Sequence, residues 1–255
     1  MIKKISQFLL FLFVVYVALC IVLFVLQRSF IYYPPNVTYI NDPTTLKLKN
    51  DGEELLVSVR QQKTTKAVIY FGGNGEDVSY NLPSLSNIFP DAAIYLSHYR
   101  SFGGSTGKPS EQSLVNDAQI LFDYVHAQHA DIVVIGRSLG SGVAIQLASS
   151  RSVSKLVLVT PYNSILELAQ NQFPYFPVGF LLQDKFESWR YAQKITAPTL
   201  IIATPSDELI PFSSTQSLLK HFSQNVVTMT AIKNVGHNTI NASPAYKAAL
   251  RKLNF

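Results

Sequence analysis

The chain has 255 residues, of which 47% are hydrophobic and 15% charged, with a formal net charge of +5 at pH 7. That length and apolar content suit one sizeable core, and the absence of a fixed-period repeat, a low-complexity tract or a long charge run argues against a solenoid or a disordered tail. Lys3, Lys4 and Arg28 carry three of the five net positive charges and leave only +2 for the rest of the chain, too little to form a basic footprint for nucleic acid.

Residues 8–26 form a 19-residue stretch without a charge, FLLFLFVVYVALCIVLFVL. As a helix it would be about 28 Å long, close to the roughly 30 Å hydrocarbon core of a bilayer. A cleaved signal peptide would have a shorter apolar region ending at small residues, whereas this run ends Leu26-Gln27-Arg28. Val17-Ala18-Leu19-Cys20 fits a lipoprotein cleavage site only loosely, because the large Leu19 precedes the cysteine. The expectation is an uncleaved membrane anchor over residues 1–28. Lys3 and Lys4 before the span, against Arg28 after it, favour a cytoplasmic amino terminus and a body on the non-cytoplasmic side. Cys20, the single cysteine, lies inside this run, so neither an intramolecular disulfide nor a cysteine zinc cluster can form.

From residue 44 onward the pattern alternates strands and helices, which predicts a mainly parallel sheet covered on both faces. Two extended runs at 46–49 and 55–59 flank Asn50-Asp51-Gly52 and read as an antiparallel hairpin. Further strands are expected at 66–71, 92–97, 131–135, 155–159, 199–203 and 226–231. The clearest helix covers 112–128, with Leu114, Ala118, Ile120, Leu121, Tyr124 and Val125 on its apolar face. Between 160 and 198 lies a short insertion rich in aromatics, Tyr162, Phe173, Tyr175, Phe176, Phe180, Phe186 and Trp189. It reads either as an apolar lid over about 162–190 or as ordinary packing of a helical insertion.

Two G-x-S-x-G pentapeptides occur, around Ser105 and around Ser138. A serine raised above a sheet edge needs a strand before it and a helix after it. Only Ser138 has both: 131–135 is a β-branched run, and Leu139, Val143, Ala144, Leu147 and Ala148 recur at helical spacing after the turn. Ser105 sits in the breaker-rich stretch SFGGSTGKP and is assigned to a loop. Gly140 and Gly142 are expected to allow close helix-to-sheet approach.

The loops after the carboxyl ends of strands are where an open α/β sheet keeps its ligands. The loop after 199–203 holds Asp207, with Glu208 beside it as the substitute, and the loop after 226–231 holds His237. Of the other four histidines, His126, His129 and His221 are expected at the surface, and His98 is read as structural or near the site. Ser138, His237 and Asp207 together imply acyl transfer: the imidazole takes the serine proton, the oxygen attacks a carbonyl, and the carboxylate orients and stabilises the imidazolium. The oxyanion would be held by the backbone of Leu139 and by Asn74 in Gly72-Gly73-Asn74-Gly75. Nothing in the chain calls for a metal or an organic cofactor.

The chain resembles membrane-anchored α/β-hydrolase-domain serine hydrolases, a branch that includes protein depalmitoylases and lipid or carboxyl esterases. The resemblance rests on the anchor followed by LQRSFIYYP, on Tyr99-Arg100-Ser101-Phe102-Gly103, Gly136-Arg137-Ser138-Leu139-Gly140-Ser141-Gly142, LQDKF at 182–186 and PTLII at 198–202. It extends to Ser206-Asp207-Glu208-Leu209-Ile210-Pro211 and Gly236-His237-Asn238. It implies an α/β-hydrolase fold over 29–255, with the triad order Ser138, Asp207, His237 and an acyl ester or thioester substrate, lipid or lipidated. Two departures stand out: Gly72-Gly73-Asn74 replaces the family's histidine-glycine-asparagine, and His98 stands where an aspartate often precedes the tyrosine-arginine pair. A serine peptidase using the same triad, and a catalytically silent scaffold, remain alternatives.

Overall fold

The computed structural model describes residues 1–35 and 45–253. The start of the alternating pattern at residue 44, and parts of the 29–255 domain at 36–44 and 254–255, lie outside the described residues. The chain begins with α1 (Ile2–Ile31), a single 30-residue helix. Then come β1 (Thr45–Asn50), β2 (Glu53–Arg60), β3 (Lys66–Phe71), α2 (Leu82–Ile88), β4 (Ala93–Ser97), α3 (Glu111–His126) and β5 (Asp131–Arg137). They are followed by α4 (Leu139–Ala148), β6 (Lys155–Val159), α5 (Ile165–Gln172), α6 (Val178–Leu181), α7 (Ser188–Ala192), β7 (Thr199–Ala203), α8 (Phe212–Leu219), β8 (Val227–Ala231) and α9 (Pro244–Arg251).

The strands form one sheet in the order β1-β2-β4-β3-β5-β6-β7-β8. The first two strands pair antiparallel, and β2 meets β4 antiparallel; every pairing from β4 through β8 is parallel. Strand order reverses between β3 and β5, whose carboxyl ends meet where Phe71 pairs with Gly136. That reversal opens a crevice, because the connections leaving β3 and β5 run to opposite sides.

Both faces of the parallel strands are buried, and period two assigns their residues. Ile69, Phe71, Val134, Leu156 and Leu158 pack under α3, α4 and α8, while Val68, Tyr70, Val133, Ile135 and Val157 pack under α2 and α9.

Sequence and structure differ in the length of β5, in the extent and apolar face of α3, which ends at His126 and not at 128, and in the burial of His129. β5 runs two residues beyond the expected 135, because Gly136 and Arg137 are held by pairing with Leu158 and Val159 of β6 despite weak intrinsic strand preference. On α3 the apolar face uses Val115 and Phe122, while Ile120 is 39% exposed. Ile120 is two residues from Ala118, so helical geometry turns it away from the sheet. His129 is buried, not superficial: its ring meets the Tyr95 hydroxyl at 2.9 Å and Thr64 O at 2.7 Å. His126 and His221 are exposed, as expected.

The aromatics of the 160–198 insertion divide between the two readings. Tyr162 and Phe186 belong to the core, Phe173 and Phe176 border a cavity, and Tyr175 and Phe180 face outward.

Candidate active site

Strand β5 ends directly at Ser138, whose φ of 50° and ψ of −118° are conformations that non-glycine residues rarely adopt. Its surroundings hold it there. Ser138 N donates to Val159 O at 2.9 Å, and Ser138 O accepts from the amide and hydroxyl of Ser141 at 2.9 and 2.6 Å. The flanking glycines follow from space: a Cβ at Gly140 would run into the carbonyl oxygens of Phe71 and Gly72, and one at Gly136 into Gly140 O and Ala144. Gly142 departs from expectation. It makes room for the Tyr162 hydroxyl and the Phe186 ring, not for the sheet.

Three loops from three strands converge on this serine. Ser138 Oγ lies 2.9 Å from His237 Nε2, and His237 Nδ1 lies 2.8 Å from Asp207 Oδ2. A carboxylate only accepts, so Nδ1 carries the proton and Nε2 is left to accept from the serine hydroxyl. Burial raises the Asp207 carboxyl pKa, but hydrogen bonds from the His237 ring and from the amides of Ile210 and Leu209 outweigh it and hold Asp207 below its ordinary value. Glu208 is turned away from the ring; its Oε2 accepts from the His237 backbone amide at 2.9 Å. The two loops are also tied by Thr204 Oγ1, which donates to Val235 O at 2.8 Å.

Leu139 occupies the first turn of α4, where a helix leaves its amides without internal acceptors. In the glycine loop after β3, Gly73 passes so close that a Cβ there would sit 3.5 Å from Ser138 Cβ. The Gly73 amide is engaged by Glu76 Oε2 at 2.5 Å, and Asn74 Oδ1 accepts from Tyr33 N at 2.8 Å. Asn74 and Leu139 border the same cavity as Ser138.

Sequence reasoning passed over Arg137 and Glu76. Arg137 Nη1 pairs with Glu76 Oε2 at 2.8 Å, and its Nη2 donates to His237 O and Asn238 Oδ1 at 3.2 and 3.1 Å. The pair therefore links the glycine loop to the histidine loop beneath the serine. Its sequence signal was only an arginine in a variable position of the pentapeptide.

Ser105 stays in its loop, where its Oγ accepts from Leu56 N and donates to His98 O. His98 is structural: Ser58 meets its Nε2 at 2.8 Å, burial lowers its pKa, and a Cβ on Gly103 would collide with its ring.

A cavity of about 410 Å³ opens at Ser138. Its walls are mostly apolar and come from the insertion, among them Ile165, Leu168, Phe173 and Phe176, and from Leu23, Gln27, Phe30 and Ile31 of α1. Gln27 Nε2 donates to Leu181 O at 3.1 Å, and Gln27 Oε1 accepts from Gln183 N at 2.6 Å. Arg28 pairs with the buried Asp184 at 2.9 Å, and the Tyr32 hydroxyl donates to the same carboxylate at 3.2 Å. Among the described residues no cluster of three or more candidate metal ligands occurs.

No family model matches the chain. An uncharacterized protein of Mycobacterium tuberculosis is 33% identical over 150 residues, 57% of this chain and 53% of that protein. Protein bem46 of Schizosaccharomyces pombe is 28% identical over 62% of this chain and 56% of its own length. The α/β hydrolase domain-containing protein aho-3 of Caenorhabditis elegans is 30% identical over 62% of this chain and 47% of its own. The chain thus spans about half the length of these curated relatives.

Among solved structures, Est1E from Butyrivibrio proteoclasticus superposes with a TM-score of 0.68 at 16% identity, covering 81% of this chain and 96% of Est1E. The Pyrococcus furiosus esterase Pf2001 gives 0.69 at 18%, covering 86% and 97%. At such identities the likeness speaks for the fold. With its sheet and its fold neighbours in agreement, the chain has the α/β-hydrolase fold, is similar to Bem46 and aho-3 over part of its length, and carries an apolar helix at its N-terminus.

Proposed function

We propose that the protein is a membrane-tethered serine hydrolase that cleaves carboxylic esters or thioesters through Ser138, His237 and Asp207. The observation that carries this reading is the unbroken hydrogen-bond chain from Asp207 through His237 to a serine in a strained turn at an apolar cavity. Kinship with α/β-hydrolases supports hydrolysis as the reaction class.

In this mechanism His237 Nε2 takes the Ser138 proton as the oxygen adds to the substrate carbonyl. The amides of Leu139 and Asn74 receive the oxyanion, each donor typically contributing about 10²- to 10³-fold in rate. Collapse passes the proton from His237 to the departing alcohol or thiol and leaves an acyl-serine. Water, deprotonated by the same imidazole, then releases the acid and restores Ser138.

The apolar cavity favours an acyl group over a peptide, whose backbone would need polar partners along its length. Retention of α1 as an anchor is supported by the burial of Gln27 and by the Arg28 pairing to Asp184, since cleavage would remove a cation from beside a carboxylate that is 4% exposed.

The test is labelling by a fluorophosphonate probe of detergent-solubilised wild type beside Ser138→Ala, His237→Ala and Ser105→Ala, followed by turnover of matched ester, thioester and peptide substrates. Labelling that survives Ser105→Ala and vanishes in the other two, with acyl esters or thioesters turned over ahead of peptides, is the expected result. A folded wild type that takes up no probe sinks the catalytic reading in favour of a scaffold.

A further inference from the structure

Helix α1 presents two different surfaces. Cys20, Leu23, Gln27 and Ile31 are its residues withdrawn from solvent, spaced three or four apart on one stripe. The rest of its apolar length is exposed, and its most apolar window has no buried share within the protein. A helix of this composition satisfies its outer face in hydrocarbon while its stripe meets protein.

The stripe faces the insertion well below the end of the apolar run. The Tyr16 hydroxyl donates to Tyr175 O at 3.0 Å, and the Tyr16 ring stacks on Phe176 at 5.7 Å. Tyr16 precedes Leu26 by ten residues, or about 15 Å along a helix, about half the hydrocarbon thickness. If residues 8–26 span the bilayer, residues 175 and 176 lie within one leaflet.

The sequence of that segment agrees. Residues 173–182 read FPYFPVGFLL, without a charge or a hydrogen-bonding side chain other than Tyr175. Tyr175 is 86% and Phe180 92% exposed, which would be costly against water and is natural against acyl chains. Backbone polar groups in lipid must be paired internally. Here two positions are prolines, and the amides of Phe173, Phe176, Val178, Phe180, Leu181 and Leu182 all donate within the insertion.

The cavity at Ser138 lies between these two membrane-facing elements, with Leu23 and Phe30 of α1 on one side and Phe173 and Phe176 on the other. We infer that α1 and the 173–182 segment form an acyl channel that opens sideways into the leaflet. A lipid-borne ester or thioester would enter there, chain along α1 and carbonyl at Ser138. The inference rests on the catalytic reading of Ser138. It makes the anchor helix a wall of the substrate site.

The test uses the full chain in phosphatidylcholine vesicles with p-nitrophenyl palmitate and p-nitrophenyl acetate. Each methylene excluded from an apolar site costs about fourfold in kcat/KM. Leu23→Trp, which fills the channel from α1, should lower the palmitate-to-acetate ratio by at least about tenfold, and Leu23→Phe by less. Val25→Trp, on the lipid face of the same helix, should leave the ratio at the wild-type value.

An unchanged ratio in both Leu23 variants that still take up the fluorophosphonate probe overturns the channel and leaves the triad standing; loss of labelling in wild type removes both. A second measurement does not depend on turnover. In a Trp189→Phe background, the indole of a Phe180→Trp variant should be quenched by brominated lipid, and an unquenched indole overturns the membrane-embedded lid.

Discussion

Arg137 and Glu76 meet at 2.8 Å in a site where their side chains are 8% and 11% exposed, 61 residues apart in the chain. The pair holds the glycine loop through Gly73 N and the histidine loop through His237 O. Breaking a buried pair leaves an uncompensated charge and typically costs about 3–5 kcal/mol. Arg137→Met and Glu76→Gln should each lower Tm and probe labelling together. The double variant should lose less than the two single losses summed, since the charges disappear together. Thermal unfolding of the three proteins in detergent checks this, and strict additivity would show that the pair is not coupled.

Asp207 and Glu208 are neighbours with different tasks, one on the imidazole and one on the backbone of His237. Asp207→Asn should lower kcat by about 10⁴-fold, because an amide no longer fixes the Nδ1–H tautomer. Glu208→Gln should retain far more activity, since its amide oxygen can still accept from His237 N. Equal losses in the two variants would remove the distinction. Ester turnover at saturating substrate measures it.

The same carboxylate sets a direction for acid sensitivity. In the unfolded chain an aspartate titrates near about 3.9, and in the fold Asp207 is held lower, after hydrogen bonds from His237, Ile210 and Leu209 outweigh burial. Its stabilising contribution is therefore complete above about pH 4 and is lost as pH falls through the folded value. The Tm difference between wild type and Asp207→Asn should shrink over that interval and stay flat above it. A difference that grew on acidification would reverse the assigned shift.

Two glycines separate crowding from backbone strain. A Cβ at Gly140 would enter the carbonyls of Phe71, the last residue of β3, and Gly72, just after it, backbone groups that cannot yield cheaply. Gly140→Ala is expected to cost about 3 kcal/mol or more and to abolish probe labelling. At Gly52, with φ +80°, a Cβ would meet nothing within 4 Å, so Gly52→Ala should cost only about 1 kcal/mol. Denaturant or thermal unfolding of both variants checks the order.

Asp184 gathers Arg28, the Tyr32 hydroxyl and the Glu111 amide. Arg28→Met removes one of these and should cost about 1–2 kcal/mol, discounted because the Arg28 side chain is 45% exposed. The effect should be local, seen as faster proteolysis within the insertion while the sheet keeps its protection from hydrogen exchange. Unchanged proteolysis would show that the helix and insertion are not held by this pair.

Much of the fold was legible in the sequence because its signals are local. Alternating β-branched runs and helical spacings marked the six strands at 66–71, 92–97, 131–135, 155–159, 199–203 and 226–231 to within two residues of the observed elements. A strand before Ser138 and a helix after it separated that serine from Ser105. The loops after the last two expected strands then limited the acid to Asp207 or Glu208 and left His237 as the histidine after the last strand.

What tertiary structure decided depends on directions and long-range pairings that no local period encodes. Which of two adjacent carboxylates faces the imidazole follows from how one turn leaves β7. His129 is buried because Tyr95 and Thr64, from elsewhere in the chain, reach its two ring nitrogens. Arg137 finds Glu76 only because strand order reverses between β3 and β5. Residues 8–26 of α1 read in sequence as a uniform apolar span. Only contacts across more than 150 residues, from Gln27 to Leu181 and Arg28 to Asp184, turn one stripe of it toward the cavity that holds Ser138.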